Sequence, residues 1–596
     1  MYQTFDVTAR PDQGPPRLHA LRSELTREGL DGFLVPRADV HQGEYVAARD
    51  ERLSWLTGFT GSAGFCVVLQ DKAGVFIDGR YRTQVKRQVA DVYTPVPWPE
   101  TGLADWLRSE LPDGGRVGFD PLLHTVAQIR QARAALDGSG IELRPSDNLV
   151  DRVWTDQPAA PLNPVQSHPA DYAGEAAAAK CARLAEDLRE AGQSSAVITL
   201  PDSVMWLLNI RGADIPRNPI AQGFAILHDS GAVDLFMDAR KLNGLDGPLG
   251  ETVSLHAPEH FLDHVAALPG PVRLDHGSAP YRLAELLGDR AVNGADPCAL
   301  PKARKNPAEI EGSAAAHLRD GAAVCETLAW LDAQPAGTVT EIDVVKRLEA
   351  FRAQDPALRD ISFETIAGSG PNGAVMHYRV TEESDTTLED GHLLVLDSGG
   401  QYLDGTTDIT RTIAIGTPGQ QERDAFTRVL QGMIAMSRLR WPKGLAGRDI
   451  EAIGRMPLWL AGQDFNHGLG HGVGAYLSVH EGPQRLSRMS DVPLEPGMIL
   501  SNEPGYYREG AFGIRIENLL VVIPAPELDT ADPERDMLSW RTLTFAPIDR
   551  RLVVAEMLTQ AERDWLNAYH AEVAEKIGPR LGKEAKLWLD AATAPF

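Results

Sequence analysis

The stretch LLVLDSGGQYLDGTTDITRTIAI, residues 393–415, carries the reading of the fold. Its first apolar run, Leu393-Leu394-Val395-Leu396, ends in Asp397 and meets Ser-Gly-Gly, which puts a carboxylate at the end of a buried strand beside a turn. The run TTDITRTIAI predicts a second strand that contains Asp408. A Gly- and Asp-containing connection predicts an antiparallel pair, with Asp397 and Asp408 close enough to share one site. Two such carboxylates repel each other unless a cation or a proton lies between them.

Downstream, FGIRIENLLVV alternates from Gly513, with Ile514 and Ile516 on one face and Arg515 and Glu517 on the other. Met498-Ile499-Leu500 is a further short apolar strand that delivers Glu503 just ahead of a Pro-Gly turn. His467, His471 and His480 stand in HGLGHGVGAYLSVHEGP, where glycines permit close approach to a site. Four carboxylates and an imidazole form a hard, oxygen-rich donor set, better suited to a pair of divalent ions such as Mn²⁺ than to one structural zinc. Four negative ligands offset two dications, and a hydroxide bridging such ions is a nucleophile at neutral pH. Histidines just outside the ligands donate hydrogen bonds or shuttle protons. Singly, an Asp at a strand end is most often a turn residue and a Glu on a strand face is most often solvated. Their joint occurrence in ordered strand contexts is what singles them out.

Two Gly-rich segments are decoys. Gly368-Ser-Gly370-Pro-Asn-Gly373 spells GxGxxG, but Pro371 and the β-like AVMHYRV replace the helix start of a dinucleotide site, so it reads as a turn delivering His377. HGLGHGVG lacks the Lys-Ser/Thr ending of a P-loop, and no GxSxG supports a serine nucleophile.

Upstream, apolar helical patterns alternate with short strands such as GFLVP and AGVFIDGRY from about Leu18 to Asp147, an α/β layer pattern. A Pro-rich break at Pro158, Pro161, Pro164 and Pro169 reads as a linker. Beyond it the pattern repeats. Leu21, Leu25, Gly29 and Phe33-Leu34-Val35 match Leu184, Leu188, Gly192 and Ala196-Val197-Ile198 at a constant offset, and Trp55-Leu56 answers Trp206-Leu207. A duplicated α/β domain is expected. A third region starts near Lys302 with helical periodicity from Glu309 to Leu331, turns to strands after Phe363, and ends in a helix capped by Thr559 with Glu562.

The whole chain has 596 residues, enough for several domains, and its 43% hydrophobic and 24% charged residues are ordinary for a globular protein. With 58 basic against 83 acidic side chains the net charge is −25, which weighs against nucleic-acid or anionic-membrane binding. No apolar run approaches the roughly 18–20 residues of a membrane helix, and MYQTFDVTARPDQGPPRLH has no hydrophobic leader core, so a cytoplasmic location is expected. Cys66, Cys181, Cys298 and Cys325 are widely spaced and read as buried, reduced thiols.

In order along the chain, ETIAGSGPNGAVMHY, LDSGGQYLDGTTDITRT, HGLGHGVGAYLSVHEGP, SNEPGYY and GIRIEN resemble the catalytic domain of aminopeptidase P, the Xaa-Pro aminopeptidases of the pita-bread metallopeptidase group. HQGEYVAARDERLSWLTGFTGSAG, DGRY, VWTDQP and WLLNIRGADIPRNP resemble the long, three-domain cytosolic form. The resemblance implies an α/β protein with an α+β pita-bread catalytic domain at 304–596, behind two related creatinase-type α/β domains at 1–155 and 156–303. It implies that Asp397 ligates one metal, that Asp408 and Glu517 bridge both, and that His471 and Glu503 complete the second. Glu503 is then also the general base, His377 and His480 contact substrate or steady the tetrahedral intermediate, His467 lines the proline side, and Arg515 holds ligands by charge-assisted hydrogen bonds.

The implied reaction removes the first residue of a peptide whose second residue is proline, by attack of a hydroxide bridging two divalent ions, Mn²⁺ first, with Co²⁺ or Zn²⁺ as alternatives. The implied assembly is a homodimer. A prolidase restricted to Xaa-Pro dipeptides and a catalytically inactive pita-bread binding protein are the competing readings. The three-domain length with HQGEY and NIRGAD disfavours the first, and the intact ligand set disfavours the second.

Overall fold

Leu18, Leu21 and Leu25 fall on one buried face of helix α1 (Gly14–Glu28), which Gly29 ends in the left-handed conformation at φ 63°. Strand β1 (Gly32–Pro36) follows, then α2 (Arg52–Thr57) and strands β2 (Phe65–Leu69), β3 (Ala73–Ile77), β4 (Thr94–Pro97), β5 (Gly115–Phe119) and β6 (Ile141–Pro145). They form one sheet in the order β4-β3-β2-β1-β5-β6, antiparallel on both sides of β2 and parallel elsewhere.

The second copy uses α3 (Ala177–Glu190), β7 (Ser195–Ile198), α4 (Pro201–Leu208), β8 (Phe224–His228), β9 (Val233–Phe236), β10 (Val253–His256), β11 (Val272–Leu274) and β12 (Ala291–Asn293). Its sheet runs β10-β9-β8-β7-β11-β12 with the same strand directions, so the repeat read from Leu, Gly and Trp positions is a repeat of topology. The Pro-rich segment between the copies is fastened by pairing of Gln166–Ser167 with Ile210–Arg211.

This computed structural model describes residues 2–596 apart from 246, 248 and 533. Both six-stranded sheets belong to one unit, Thr8–Ala170 with Glu175–Ala299, and a second unit holds Asp171–Gly174 and Leu300–Phe596. Residues 2–7, which the sequence assigns to the first domain, belong to this second unit. The reason is local. The backbone N–H groups of Tyr2 and Gln3 donate to the buried Glu349 carboxylate at 2.7 and 2.9 Å, and Phe5 is part of that unit's core.

The second unit opens with α5 (Pro307–Asp332), capped by an Asn306/Glu309 box, and α6 (Glu341–Arg352), capped by Thr340 and Asp343. Val324, Leu328, Val344, Val345 and Leu348 of these helices pack on Leu394, Leu396, Ile409 and Ile413. The latter belong to a three-stranded sheet of β13 (Ile366–Ser369), β14 (Leu393–Ser398) and, after the short strands β15 (Gly400–Tyr402) and β16 (Gly405–Thr406), β17 (Ile409–Ala414). Helices α7 (Gln420–Ser437) and α8 (Gly447–Trp459) come next, followed by β18 (Gly470–Gly472), β19 (Glu481–Leu486), β20 (Ile499–Asn502), β21 (Gly505–Arg508), β22 (Phe512–Arg515), β23 (Asn518–Pro524) and β24 (Met537–Thr542).

A six-stranded sheet in the order Trp441–Pro442, β24, β23, β20, β18, β19 packs its apolar face on α7, α8 and α9 (Gln560–Ile577). The Thr559/Glu562 capping box starts α9, and Leu566, Val573 and Ile577 seal that face. All four cysteines are buried and free. No helix among the described residues is long and apolar enough to cross a membrane.

Two local expectations are corrected. Asp408 is not inside a strand but directly ahead of β17, and the run from Gly513 is not one strand, because β22 stops at Arg515 and β23 starts at Asn518. Glu517 sits in the two-residue break, where its N–H is taken by the Thr410 carbonyl at 3.1 Å.

Candidate metal centre

The β14–β17 pair is antiparallel with Asp397 opposite Thr410, so Asp397 at the end of one strand and Asp408 at the head of the other come to the same edge. The Thr410 hydroxyl donates to Glu517 Oε2 at 2.8 Å, which brings the third carboxylate to that edge. Strand β20 pairs with β23 and runs out into Glu503, whose Oε1 accepts from the Ser501 hydroxyl at 3.1 Å. The same hydroxyl oxygen accepts the His471 N–H at 2.9 Å, tying β18 to β20. That approach requires glycine at 470, since a Cβ there would lie 1.9 Å from the Ser501 carbonyl oxygen.

The His471 ring is oriented by its surroundings. Nδ1 is 2.9 Å from the Gly472 carbonyl, which can only accept, so Nδ1 carries a proton and Nε2 is the atom turned to the carboxylates. Nε2 lies 3.6 Å from Asp408 Oδ2 and 3.4 Å from Glu503 Oε1, and ligand atoms of Asp408, His471 and Glu517 all lie within 4.8 Å of one another. Asp397 Oδ1, Asp408 Oδ1 and Glu517 Oε1 are buried without a hydrogen-bond partner among the described residues. Burial first, then Glu517, Asp397 and Glu503, pushes the Asp408 carboxyl far above the ordinary carboxylate range, and burial with Glu503 and Asp397 does the same to Glu517. Orphaned, mutually repelling oxygens around an imidazole nitrogen fit divalent cations.

Arg515 supplies a positive charge inside the protein. Its Nη2 donates to Asp397 Oδ2 at 2.6 Å and its Nη1 to the Tyr507 hydroxyl at 2.6 Å. Burial pushes the Tyr507 phenol up to about 12, so it keeps its proton and donates it to His467 Nε2 at 2.9 Å. His467 Nδ1–H then donates to the Gly468 carbonyl at 2.7 Å. The two ends of this chain are forced, because arginine can only donate and a carbonyl can only accept, and a neutral His467 ring then takes the phenol proton at Nε2. Tyr507 was not singled out from the sequence, although it lies in the SNEPGYY block, and Thr410 and Ser501 were also missed. For Thr410 and Ser501 the signal is a hydroxyl two positions from a candidate ligand.

His480 places its ring 4.4 Å from that of His471, edge to face. His377 is half-buried and lies beyond the 3₁₀ turn Gly370–Ala374. That turn is seated against β22 so tightly that a Cβ on Gly513 would lie 1.7 Å from the Gly373 carbonyl oxygen. The GxGxxG spelling is therefore a strand-to-3₁₀ turn, as the proline had indicated.

Comparison with known proteins gives the context of this centre. Residues 311–524 match the model of metallopeptidase family M24, and 536–596 match the C-terminal region of peptidase M24. Residues 17–153 and 156–309 each match a Creatinase/Prolidase N-terminal domain. A probable Xaa-Pro aminopeptidase P from Talaromyces marneffei is 37% identical, over 97% of this chain and 92% of its own length. Aminopeptidase P2 from Arabidopsis thaliana is 37% identical, over 95% and 86%. The crystal structure of X-prolyl aminopeptidase from Caenorhabditis elegans, described as a cytosolic enzyme with a di-nuclear active site, superposes with a TM-score of 0.93 at 32% identity, over 98% of this chain and 100% of that one.

Proposed function

The chain belongs to metallopeptidase family M24 and is a metallo-aminopeptidase with creatinase-type α/β domains ahead of a pita-bread catalytic domain, and we propose the chemistry of its site as follows. The bond cleaved is the one between the first residue of a peptide and a proline in second position. The observation that carries this reading is the convergence of Asp397, Asp408, His471, Glu503 and Glu517, with carboxylate oxygens orphaned in a buried setting.

Asp397, Asp408, His471, Glu503 and Glu517 would together hold two divalent ions. When bound, the two ions supply Lewis acidity and make a water acidic enough to act as nucleophile at neutral pH. Glu503, steadied by Ser501, takes the proton of the attacking water. His377 and His480 grip the substrate and donate hydrogen bonds to the carbonyl oxygen as it gains charge. His467, fixed by Tyr507 and the Gly468 carbonyl, lines the proline side.

The proline nitrogen carries no hydrogen in the substrate, so the leaving group must receive one, from a histidine or from Glu503. Arg515, donating to Asp397 Oδ2, fixes the orientation of that carboxylate. The oxygen-rich donor set favours Mn²⁺, with Co²⁺ or Zn²⁺ as alternatives.

The same reading gives boundaries at 155/156 and 303/304 for three domains. It also gives a cytoplasmic enzyme, supported by the cytosolic relative. A homodimer is supported by the outward apolar strip of Met456, Trp459 and Leu460 on and just after α8, which are 51%, 42% and 82% exposed. The deciding experiment is product analysis by mass spectrometry on an Xaa-Pro-Yaa tripeptide and an Xaa-Pro dipeptide, with Mn²⁺ and with chelator. Metal-dependent release of the first residue from the tripeptide is expected. Cleavage of the dipeptide alone would make the protein a prolidase, and no cleavage by folded, metal-loaded protein would leave a binding role.

A further inference from the structure

Beneath the metal centre lies a second polar cluster that the proposed reaction does not use. Asp320 of α5 and Arg352 of α6 form a fully buried pair: Arg352 Nε donates to Asp320 Oδ1 at 2.5 Å and Nη2 to Oδ2 at 3.0 Å. The remaining acceptor capacity of Asp320 is taken by two hydroxyls, Tyr402 to Oδ1 at 2.9 Å and Thr407 to Oδ2 at 2.8 Å. Arg352 Nη2 also donates to the Ser398 hydroxyl at 3.0 Å. Asp320, Tyr402 and Thr407 are 0% exposed, and Arg352 and Ser398 1%.

The placement of these partners in the chain is what gives the cluster a role. Ser398 directly follows Asp397 and Thr407 directly precedes Asp408. The chain leaves β14 after Asp397, makes the β15–β16 excursion, and returns to Asp408, and both ends of that excursion are tied to the same ion pair. Thr407 is held from the other side as well, its Oγ1 accepting the Gly400 N–H at 2.8 Å and its carbonyl accepting from the Ser362 hydroxyl at 2.8 Å. The β14–β17 ladder fixes the strand register but ends at Ser398 and Ile409, so it does not itself hold residue 408.

We propose that the Asp320–Arg352 pair is a positioning device for the metal centre, which sets the spacing of Asp397 and Asp408 by gripping Ser398 and Thr407 and thereby sets metal affinity. The pair touches no ligand atom and acts through the backbone neighbours of two ligands. A helix-to-helix ion pair with no link to the site would need none of these hydroxyls. The proposal rests on the reading of Asp397 and Asp408 as metal ligands.

The test is Mn²⁺ titration of the full-length, metal-stripped protein by calorimetry, with thermal unfolding of the stripped protein recorded beside it. Thr407→Val keeps size and removes the hydroxyl that donates to Asp320, while Thr407→Ser keeps that hydroxyl. Asp320→Asn keeps shape and removes the charge. For Thr407→Val and Asp320→Asn the Mn²⁺ dissociation constant is expected to rise about 10- to 100-fold, the range for partners that orient ligands, and Thr407→Ser is expected to restore it to within about threefold.

Folded Thr407→Val whose Mn²⁺ affinity stays within about twofold of the parent would overturn the proposal, even if its melting temperature fell, since that is the signature of a purely structural contact. Should Asp320→Asn fail to fold, Thr407→Val and Thr407→Ser still decide. An unsubstituted protein that takes up no Mn²⁺ would instead remove the underlying reading of the site.

Discussion

Glu517 and Asp408 are buried acids that form no lysine or arginine salt bridge among the described residues, while Arg515 donates to Asp397. Glu517→Ala or Asp408→Ala is therefore expected to abolish metal retention and turnover together, with metal content of desalted protein near zero and kcat/KM down by at least about 10³-fold. Full activity without bound metal would sink the assignment.

His570 carries a different residue-scale consequence. Its Nε2 accepts the Ile548 N–H at 3.1 Å, so its proton is on Nδ1, and burial, with Arg411 and Arg550, holds its pKa down to about 3. The unfolded chain protonates this ring near pH 6.5 while the folded chain does not, so the stabilisation is present above pH 6.5 and is lost as pH falls. Between pH 7 and 5 the loss attributable to this ring is about 2 kcal/mol. Urea unfolding at pH 7 and pH 5 should show that much extra loss in the parent over His570→Gln, and equal losses would refute it.

Asp397, Asp408, Glu503 and Glu517 were legible because each lies in or beside a short apolar run, and His471 because it stands in a Gly-rich block that resembles a known family, signals contained within a few residues. Tyr507, Asp320 and Arg352 were not, because their meaning lies in partners far along the chain, such as Asp320 with Thr407 and Arg352 with Ser398.

At the scale of elements, close approach of backbone decides what can be changed. Gly513 on β22 and Gly432 on α7 are both closed to a side chain, a Cβ lying 1.7 Å from the Gly373 carbonyl oxygen in the first case and 2.1 Å from the Gly454 carbonyl oxygen in the second. The first contact seats the turn ahead of His377 and the second is the α7–α8 crossing. Gly513→Ala is accordingly expected to lower kcat/KM by about 10²-fold through misplacement of about an ångström. Gly432→Ala is expected to cost about 1–3 kcal/mol of stability with kcat/KM within about twofold of the parent. Steady-state kinetics and urea unfolding on both variants separate the two, and the same loss of activity in each would remove the distinction.

The two places where strand reading failed, Asp408 ahead of β17 and Glu517 between β22 and β23, are both at the site. Hydrophobic alternation continues through such points in sequence, so it does not register a break made to turn a carboxylate inward. Helix ends were easier, since the Thr559/Glu562 box is a local hydrogen-bonding signal that tertiary packing did not override.

For the molecule as a whole, the repeat of strand order in the first unit was visible as Leu, Gly and Trp at constant spacing, because a duplicated core needs the same apolar positions twice. The assignment of residues 2–7 to the second unit was not visible, since it depends on the Glu349 carboxylate more than 340 residues away meeting two backbone N–H groups. Each unit has its own core, the first built on its two six-stranded sheets and the second on the layers that hold the metal centre. All five proposed ligands are in the second unit.

A ligand that binds only the folded form of one unit stabilises that unit by mass action, by about 2.7 kcal/mol at a free concentration one hundred times its dissociation constant. Scanning calorimetry of the full chain should then resolve two transitions. Mn²⁺ at that excess is expected to raise one of them by roughly 5–11 °C, taking about 2–4 °C per kcal/mol for a unit of this size, and to leave the other within about 1 °C. Chelator should reverse the shift. A single transition, or two that move together, would mean that the units unfold as one cooperative body, and the metal would then stabilise the creatinase-type domains as much as the catalytic one.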